Sequence, residues 1–377
     1  MANLVGKPEM KVMVVASYAP SLLNFRRELL EKFQSLGWEV HVAAPELLND
    51  SDKNSFEGTG WICHGFNMDR KKMNPFRDLR SFFQLILIFL KVRPHLLLSY
   101  TIKPVIYGSI AGFLTRIPKR HALITGLGYA FQEESSKLYK LVCLLYRISV
   151  HCVDKVFFQN PDDQFLFRKK GILSAIKPSY VVNGSGVNLK HFNVVDLPEK
   201  PAFLLIARLL KAKGLREYAE AARLLKDKLG EWKIYLLGPE DASSDSIDLA
   251  EVLEWQREGI VEYLGSTEDV RKYFAMASVY VLPSYREGTP RTVLEAMAMG
   301  RPIITTDVPG CRETVITNLN GFLVPHRDPH ELANAMLRFI ENPSLINLMG
   351  KQSRVIADTK YDVEKINAYM IEEMGAL

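Results

Sequence analysis

The sequence predicts an α/β fold built on two doubly wound parallel sheets. Short runs of apolar and β-branched residues, of the length of buried parallel strands, alternate with amphipathic stretches of helical length. This alternation runs through the first half of the chain and restarts in the second half, which is typical of two Rossmann-like domains. A chain of 377 residues is also too long for one ordinary hydrophobic core, so two domains of similar size are the natural division.

The first half is predicted to begin with a strand and a helix that ends at Gly37, a glycine typical of the position after a helix. The expected strands are 11–16, 40–43, 61–64, 95–99, 122–125 and 155–159, and the expected helices are 22–36, 82–90, 103–115, 137–150 and one opened by Pro161. In such a sheet the loops after the first, fourth and fifth strands face a common crevice. We expect a binding site there, formed by Ser17–Ser21, Tyr100–Lys103 and Thr125–Tyr129.

The second half is predicted to follow a polar, proline-containing linker between roughly 184 and 200. Its expected strands are 202–207, 233–237, 261–264, 279–282, 303–306 and 321–324, and its expected helices are 215–229, 247–259, 267–277, 291–300, 329–341, 343–357 and 363–373.

The stretch from 279 to 310, VYVLPSYREGTPRTVLEAMAMGRPIITTDVPG, predicts a strand, a polar loop, a helix and a second strand. In open α/β sheets, ligands bind at the carboxyl end of such a strand. The helix begins near Thr289 and Pro290, where free backbone N–H groups and the positive end of the helix dipole favour a phosphate. Glu287 and Glu295 lie on either side of this phosphate site, where each can accept hydrogen bonds from a polyol. The pattern therefore indicates a pocket for a nucleotide sugar.

Two cations are expected to face the same pocket. Arg208 and Lys213 lie in the loop after the strand at 202–207. A nucleotide-sugar diphosphate gains negative charge as its glycosidic bond breaks, and two fixed cations with a helix N-terminus can stabilise that charge without a metal ion. The alternative is a solvated basic loop with no ligand.

Other sequence patterns argue against other classes of protein. Gly126-Leu127-Gly128 lacks the third glycine of a dinucleotide fingerprint and follows the fifth strand, which disfavours a Rossmann dehydrogenase. Asp50-Ser51-Asp52 has no strand leading into it, so we expect no metal site there. The net charge of +5 is mild, and we expect no nucleic-acid partner.

Four cysteines without metal-ligand spacing favour a reducing compartment, and the amino terminus has no apolar core of signal-peptide length. We therefore expect a cytoplasmic protein. A basic cluster precedes the apolar run 82–90, which is too short to span a bilayer. Two interpretations stay open, a buried helix with a solvated basic approach or a patch that docks on anionic lipid headgroups. The cluster is Arg70, Lys71, Lys72, Arg77 and Arg80.

The spacing of the two glutamates within PSYREGTPRTVLEAMAMGRPIITTDVPGCRE resembles the signature of the family 4 (GT4) retaining glycosyltransferases, which have the GT-B fold. Residues 206–214, 237–238 and 320–324 also resemble that family. YTIKPVIYGSIAG and ITGLGYAF, in the first half, are similar to members that build bacterial surface glycans on a polyprenyl-diphosphate carrier.

The resemblance implies two Rossmann-like domains that face a central cleft, an acceptor-binding domain at 1–190 and a donor-binding domain at 200–360, with a helix in 361–377 that crosses back to the first domain. It implies that Arg208 and Lys213 contact the diphosphate, Glu287 the donor sugar and Glu295 the ribose. Five glycine, threonine and proline positions are expected to line the donor site: Gly238, Gly265, Gly288, Thr289 and Pro290. Five positions are expected to line the first-domain side of the cleft: Ser17, Lys103, Thr125, Gly126 and Gly128.

The function implied is transfer of a sugar from a UDP-sugar to a polyprenyl-diphosphate-linked saccharide, with retention and without a metal ion. The sugar is expected to be an N-acetylhexosamine such as GalNAc, and the enzyme is expected to associate peripherally with the inner face of the cytoplasmic membrane. Two alternatives stay open. One is a UDP-sugar epimerase or hydrolase on the same scaffold, and the other is a non-catalytic sugar-nucleotide binding protein.

Overall fold

The structure is a computed structural model that describes residues 10–49, 53–69, 74–127, 131, 136–243 and 245–377. Several predicted positions lie outside these residues, namely Arg70, Lys71, Lys72, Gly128 and the stretch 50–52. The chain divides into two compact units, each built on a parallel sheet. The first unit runs to Ser185 and also contains Glu364–Leu377, and the second unit is Gly186–Val363.

The first unit is a seven-stranded sheet in the order β3-β2-β1-β4-β5-β6-β7, with every neighbouring pair parallel. Its strands are β1 (Lys11–Val15), β2 (Glu39–Ala44), β3 (Ile62–Gly65), β4 (Leu96–Tyr100), β5 (Lys119–Ile124), β6 (Lys155–Phe158) and β7 (Ser179–Val181). Its helices are α1 (Pro20–Ser35), α2 (Pro75–Val92), α3 (Ile102–Leu114), α4 (Lys137–His151) and α5 (Pro161–Lys169), with a 3-10 turn at Pro45–Leu48.

The second unit is a six-stranded parallel sheet in the order β10-β9-β8-β11-β12-β13. Its strands are β8 (Ala202–Ile206), β9 (Lys233–Leu237), β10 (Glu262–Tyr263), β11 (Val279–Leu282), β12 (Ile303–Thr306) and β13 (Gly321–Val324). Its helices are α6 (Leu215–Leu224), α7 (Leu249–Arg257), α8 (Arg271–Ala275), α9 (Arg291–Ala298), α10 (Pro329–Glu341) and α11 (Ser344–Lys360), with 3-10 turns at Lys211–Lys213 and Arg312–Thr314.

The last helix, α12 (Val363–Glu373), joins the core of the first unit. Ile366, Met370 and Ile371 are buried in the same apolar cluster as the residues of β1 and β2. At its end, Lys155 Nζ lies 3.1 Å from Glu373 Oε2. The first unit is therefore assembled from both ends of the chain.

Helix α2 begins seven residues before the apolar run that predicted it. The Asn74 side chain accepts hydrogen bonds from the backbone N–H groups of Phe76 and Arg77, and Pro75 occupies the first helical position. Asn74 therefore caps a helix that includes part of the predicted basic approach. The outer side of α2 is exposed, which goes against the interpretation of a well-buried helix. In the part of the chain that the structure describes, no helix combines the length and the apolar character needed to cross a membrane.

Strand β7 was not predicted. It has three residues, all half-buried, at the edge of its sheet. So short an edge strand has no apolar run and no clear alternation, which are the signals that identify strands in a sequence.

A buried arginine fixes the start of the second unit. Arg301 is 1% exposed, and its guanidinium donates to the carbonyl oxygens of Val195, Asp196, Phe274 and Met299 over 2.9–3.1 Å. Burial lowers its pKa to about 10, so the group remains charged at neutral pH. The planar guanidinium thus attaches the linker segment to the body of the unit.

We predict that Arg301→Lys lowers the free energy of unfolding by about 2–4 kcal/mol, because an ammonium cannot reach four carbonyl groups in a plane and leaves buried acceptors without donors. Urea unfolding measures the loss. The matched control is Arg257→Lys on α7, where the arginine side chain is 70% exposed. Equal stability of the two variants would contradict this role for Arg301.

Candidate active site

Two neighbouring strands of the second sheet place the loops that carry the predicted donor residues. β8 and β11 pair directly, so the loops that follow them at 207–214 and 283–290 lie side by side at the carboxyl edge. The backbone N–H of Tyr285 donates to the carbonyl of Ala212 over 2.9 Å. The two loops are therefore joined by their main chains.

Two glycines permit the loop at 283–290 to approach the loops on either side of it, Gly214 in the loop after β8 and Gly310 in the loop after β12. Gly214 has φ +71°, and a Cβ there would overlap the carbonyl group of Pro283. Gly310 has φ +84°, and a Cβ there would overlap the carbonyl groups of Glu287 and Gly288. A side chain at either position would both strain the backbone and push the loops apart.

Lys213 and Glu287 form an ion pair across the two loops. The hydroxyl of Ser284 also lies 2.6 Å from the same Glu287 carboxylate oxygen. The side chains are 22% and 14% exposed, so both are shielded but reachable from solvent. The structure thus brings together the predicted ammonium and one predicted carboxylate, and it adds Ser284, which the sequence analysis did not select.

Arg208 lies in the same loop as Lys213 but has a different partner. Its Nη1 donates to Asp241 Oδ2 over 2.5 Å, and Asp241 is 8% exposed while the arginine is 46% exposed. Asp241 follows β9, the neighbour of β8 on the other side. The sequence analysis missed Asp241 because a single acidic residue in a polar loop carries no distinguishing pattern.

Glu295 is buried in α9 and faces Arg291. Arg291 Nε donates to Glu295 Oε1 over 2.8 Å, one turn of helix away. Burial raises the pKa of Glu295 to about 7, and the nearby Arg291 cation acts in the opposite direction. This carboxyl group therefore changes its protonation state near neutral pH.

The start of α9 has no side-chain cap. Pro290 is the residue before the helix, its backbone is extended, and no side chain caps the helix there. Gly288 and Thr289 precede it directly. The first-turn N–H groups of an α-helix have no partners within the helix, so this end favours an anion.

Gly238 and Gly265 meet at the carboxyl ends of β9 and β10. The Gly238 N–H donates to the carbonyl of Gly265 over 2.8 Å, and the Tyr263 hydroxyl donates to the carbonyl of Gly238 over 2.8 Å. Both glycines lie on the same edge of the sheet as Arg208.

The predicted residues of the first unit also gather at a carboxyl edge. β1, β4 and β5 are neighbours, and Ser17, Thr101 and Thr125 follow them in that order. The Thr101 hydroxyl lies 2.8 Å from Ser17 Oγ, and Thr101 itself has φ +67°, a rare conformation for a β-branched residue. Gly126 follows Thr125 with φ +121°.

Lys103 is directed toward α2. Its Nζ lies 2.7 Å from Asp78 Oδ1 and donates to the carbonyl of Asp69 over 2.7 Å. The two side chains are 13% and 6% exposed. Tyr107 also interacts with Asp78, and burial together with that carboxylate raises its pKa above the ordinary value. Asp78 is a third residue that the sequence analysis missed, because it lies within a basic and apolar segment.

Within the described ranges, no group of three or more His, Cys, Asp or Glu side chains is placed to hold a metal ion.

Comparison with known protein families gives a match in each half of the chain. A family model described as "Glycosyl transferases group 1" matches residues 200–342, and a model described as "Glycosyl transferase 4-like" matches residues 12–160. Together they match more than half of the chain.

Two characterised relatives align over most of their length. The chain is 28% identical to the N,N'-diacetylbacillosaminyl-diphospho-undecaprenol alpha-1,3-N-acetylgalactosaminyltransferase of Campylobacter jejuni, over 89% of this chain and 91% of that protein. It is 24% identical to the UDP-Gal:alpha-D-GlcNAc-diphosphoundecaprenol alpha-1,3-galactosyltransferase of Escherichia coli, over 89% of each.

Solved structures share the fold at low sequence identity. Sucrose-phosphate synthase from Thermosynechococcus elongatus superposes with a TM-score of 0.80 at 20% identity, covering 97% of this chain and 98% of the other. Anabaena HepE in complex with UDP superposes with a TM-score of 0.76 at 18% identity, covering 98% and 100%.

We predict that Glu295 makes the stability of the protein depend on pH. Its pKa is about 7 in the folded protein and 4.5 in its ordinary state, so the stability that this group contributes is complete below about pH 4.5 and is lost as the pH rises through 7. Compared with Glu295→Gln, the wild type should lose about 3 kcal/mol of unfolding free energy between pH 4.5 and 8.

Urea unfolding at a series of pH values measures the difference between the two proteins. The variant Glu341→Gln, at an exposed glutamate of α10, serves as the control and should follow the wild type. Parallel pH curves for the wild type and Glu295→Gln would show that folding leaves the pKa of Glu295 unchanged and would contradict the prediction.

Proposed function

The chain belongs to the GT4-like glycosyltransferases with the GT-B fold, and from this premise we propose that it transfers a sugar from a UDP-sugar to a polyprenyl-diphosphate-linked saccharide, with retention of anomeric configuration. The observation that carries the proposal is the Lys213–Glu287 pair beside the uncapped start of α9. These groups offer a cation, a carboxylate and helix N–H groups within two adjoining loops, and a nucleotide-sugar donor needs all three.

We propose that the donor diphosphate takes the Lys213 ammonium and the Arg208 guanidinium from their carboxylate partners. Both cations are reachable from solvent, and a diphosphate carries more charge than the carboxylate it replaces. As the glycosidic bond breaks, charge grows on the leaving UDP, and these cations together with the start of α9 stabilise it. In this proposal no metal ion is required for that step.

The carboxylate of Glu287, once Lys213 has turned to the phosphate, is available for donor-sugar hydroxyls. Glu295 is proposed to accept from the ribose, from its position one turn inside α9. Gly288, Thr289, Pro290, Gly238 and Gly265 are proposed to complete the donor site, since small or fixed side chains allow the ligand to approach the main chain.

The proposed sugar is an N-acetylhexosamine such as GalNAc, and the proposed acceptor is a lipid-linked saccharide. The support is the similarity to the Campylobacter jejuni enzyme, whose name states both the N-acetylgalactosaminyl group and a diphospho-undecaprenol acceptor. The name of the Escherichia coli relative instead contains UDP-Gal, so galactose is the alternative to an N-acetylhexosamine as the proposed sugar. Ser17, Lys103, Thr125, Gly126 and Gly128 are proposed to serve the acceptor, at the inner face of the cytoplasmic membrane.

We predict that Lys213→Ala and Glu287→Ala each lower kcat/KM for transfer by about 10²–10³-fold, because each removes a group placed at the developing charge or at the sugar. Initial rates with a UDP-sugar and a polyprenyl-diphosphate-linked saccharide give the values. The matched control is Lys211→Ala, an exposed lysine in the same turn, which should stay within about twofold of the wild type. Full activity of both site variants would refute the assignment.

We predict that a panel of nucleotide sugars will separate the proposed function from its alternatives. Only UDP-linked donors should raise the melting temperature. At a donor concentration of a hundred times the dissociation constant, the unfolding free energy should rise by about 2.7 kcal/mol. UDP release should require the lipid-linked acceptor and should persist in EDTA.

Rapid UDP release or sugar isomerisation without acceptor would instead identify a hydrolase or an epimerase. Binding of UDP without release under any condition would identify a non-catalytic binding protein. The anomeric configuration of the product, read by NMR, tests retention.

A further inference from the structure

The side chain of Tyr285 reaches from the loop after β11 to helix α6. Its hydroxyl donates to Glu217 Oε1 over 2.7 Å. Glu217 lies in the first turn of α6, four residues after Lys213, and Tyr285 lies two residues before Glu287. A second contact between side chains therefore joins the segments that follow β8 and β11, in addition to the Lys213–Glu287 ion pair.

The hydrogen bond between Tyr285 and Glu217 is charge-assisted. Burial and the Glu217 carboxylate raise the pKa of Tyr285 to about 12, so the hydroxyl keeps its proton and donates at neutral pH. A bond of this kind is stronger than one between two neutral groups. Glu217 Oε2 is buried and receives no hydrogen bond from the described residues. Without the Tyr285 hydroxyl, the carboxylate would therefore lose its hydrogen-bond donor in the part of the chain that the structure describes.

The ring of Tyr285 also contacts the segment between β13 and α10. The guanidinium carbon of Arg327 lies 4.6 Å from the centre of the ring, within the range of a cation–π contact. The His326 ring lies edge-on to it, with 6.3 Å between the ring centres. β13 is two positions from β11 in the sheet. One side chain of the loop after β11 is thus held by segments that follow two other strands, β8 and β13.

We propose that Tyr285 and Glu217 are a positioning pair, which holds the loop after β11, and Glu287 with it, in place while a ligand occupies Lys213. In the proposed function Lys213 turns from Glu287 to the donor diphosphate, so the bound state loses the ion pair between the two loops. The Tyr285–Glu217 hydrogen bond involves neither partner of that ion pair, so it persists. The inference rests on the proposed function in this exchange of partners.

The geometry favours a positioning role for Tyr285 over direct contact with the ligand. Its hydroxyl is already bonded to Glu217, and Arg327 lies against a face of its ring. Glu287 is then kept at the donor-sugar hydroxyls by an anchored loop rather than by its former partner, and small displacements of such a group lower the rate strongly.

Steady-state transfer by Tyr285→Phe tests the proposal. Loss of the hydroxyl should lower kcat about tenfold, because Glu287 is less well placed at the sugar. The dissociation constant of UDP should change less than about twofold, because Lys213 still binds the diphosphate. A comparable tyrosine of α6 serves as the control, since the Tyr218 hydroxyl donates to the carbonyl of Tyr235 in β9 over 3.2 Å. Tyr218→Phe should keep kcat within about twofold of the wild type.

Variants of Glu217 test the other partner. Glu217→Gln keeps an oxygen that accepts from Tyr285, and its kcat should stay within about threefold of the wild type. Glu217→Met has a side chain of similar length without an acceptor, and its kcat should fall about tenfold.

The double variant Tyr285→Phe, Glu217→Met separates positioning from stability. Tyr285→Phe alone leaves a shielded carboxylate without its donor, so urea unfolding should show a clear loss of stability. Addition of Glu217→Met removes that carboxylate and should restore most of the stability. The kcat of the double variant should nevertheless stay as low as that of either single variant, because the pair acts as one unit.

Amide hydrogen exchange, read by mass spectrometry, reports on the loop without sugar transfer. Exchange in the peptide that covers 283–290 should be faster in Tyr285→Phe than in the wild type. The difference should be larger with UDP bound, because the Lys213–Glu287 ion pair still joins the loops in the free protein.

Wild-type kcat in a folded Tyr285→Phe or Glu217→Met variant would overturn the proposal. So would an equal loss of kcat in Tyr218→Phe, because the effect would then follow from the stability of the whole unit. The expected exchange pattern in a protein that binds UDP but transfers no sugar would leave the positioning pair assigned and refute the proposed function alone.

Discussion

The close approach of two main chains is the constraint on which the candidate site of the second unit depends. The loops after β8 and β11 touch through the Tyr285 N–H and the Ala212 carbonyl, and a side chain at Gly214 would overlap the Pro283 carbonyl. Because the backbones are fixed, Lys213 and Glu287 meet across them, and the Ser284 hydroxyl lies against the same carboxylate. In the proposed function the loops stay in place when a ligand arrives, and only side chains exchange partners.

Three cations around this site each have a carboxylate partner. Lys213 pairs with Glu287, Arg208 with Asp241 and Arg291 with Glu295, whose pKa burial raises to about 7. Exchange of one anionic partner for another is less costly than exposure of a bare charge in a shielded pocket. In the proposed function, a phosphate-bearing ligand competes with these carboxylates for the cations. The difference in charge between phosphate and carboxylate decides which of them the cations bind.

The sequence was sufficient for the order of strands and helices and for the motif between 279 and 310, because buried parallel strands and amphipathic helices leave strong periodic signals. It was not sufficient for Asp241, Ser284 and Asp78, which contact predicted site residues only after folding. Lys103 illustrates the limit, since its position after β4 was evident while its ion pair with α2 was not. The edge strand β7 and the capped start of α2 were missed because each depends on a few local contacts.

The position of α12 in the core of the first unit affects when that unit can fold during translation. Met370, Met374 and Ala376 are part of the apolar core that also contains β1 and β2, and Trp38 donates from its indole to the carbonyl of Ala376 over 3.2 Å. The ribosome therefore has to reach these residues before the first unit can close its core. Vectorial synthesis completes the second unit, Gly186–Val363, before the last segment of the first unit has been made.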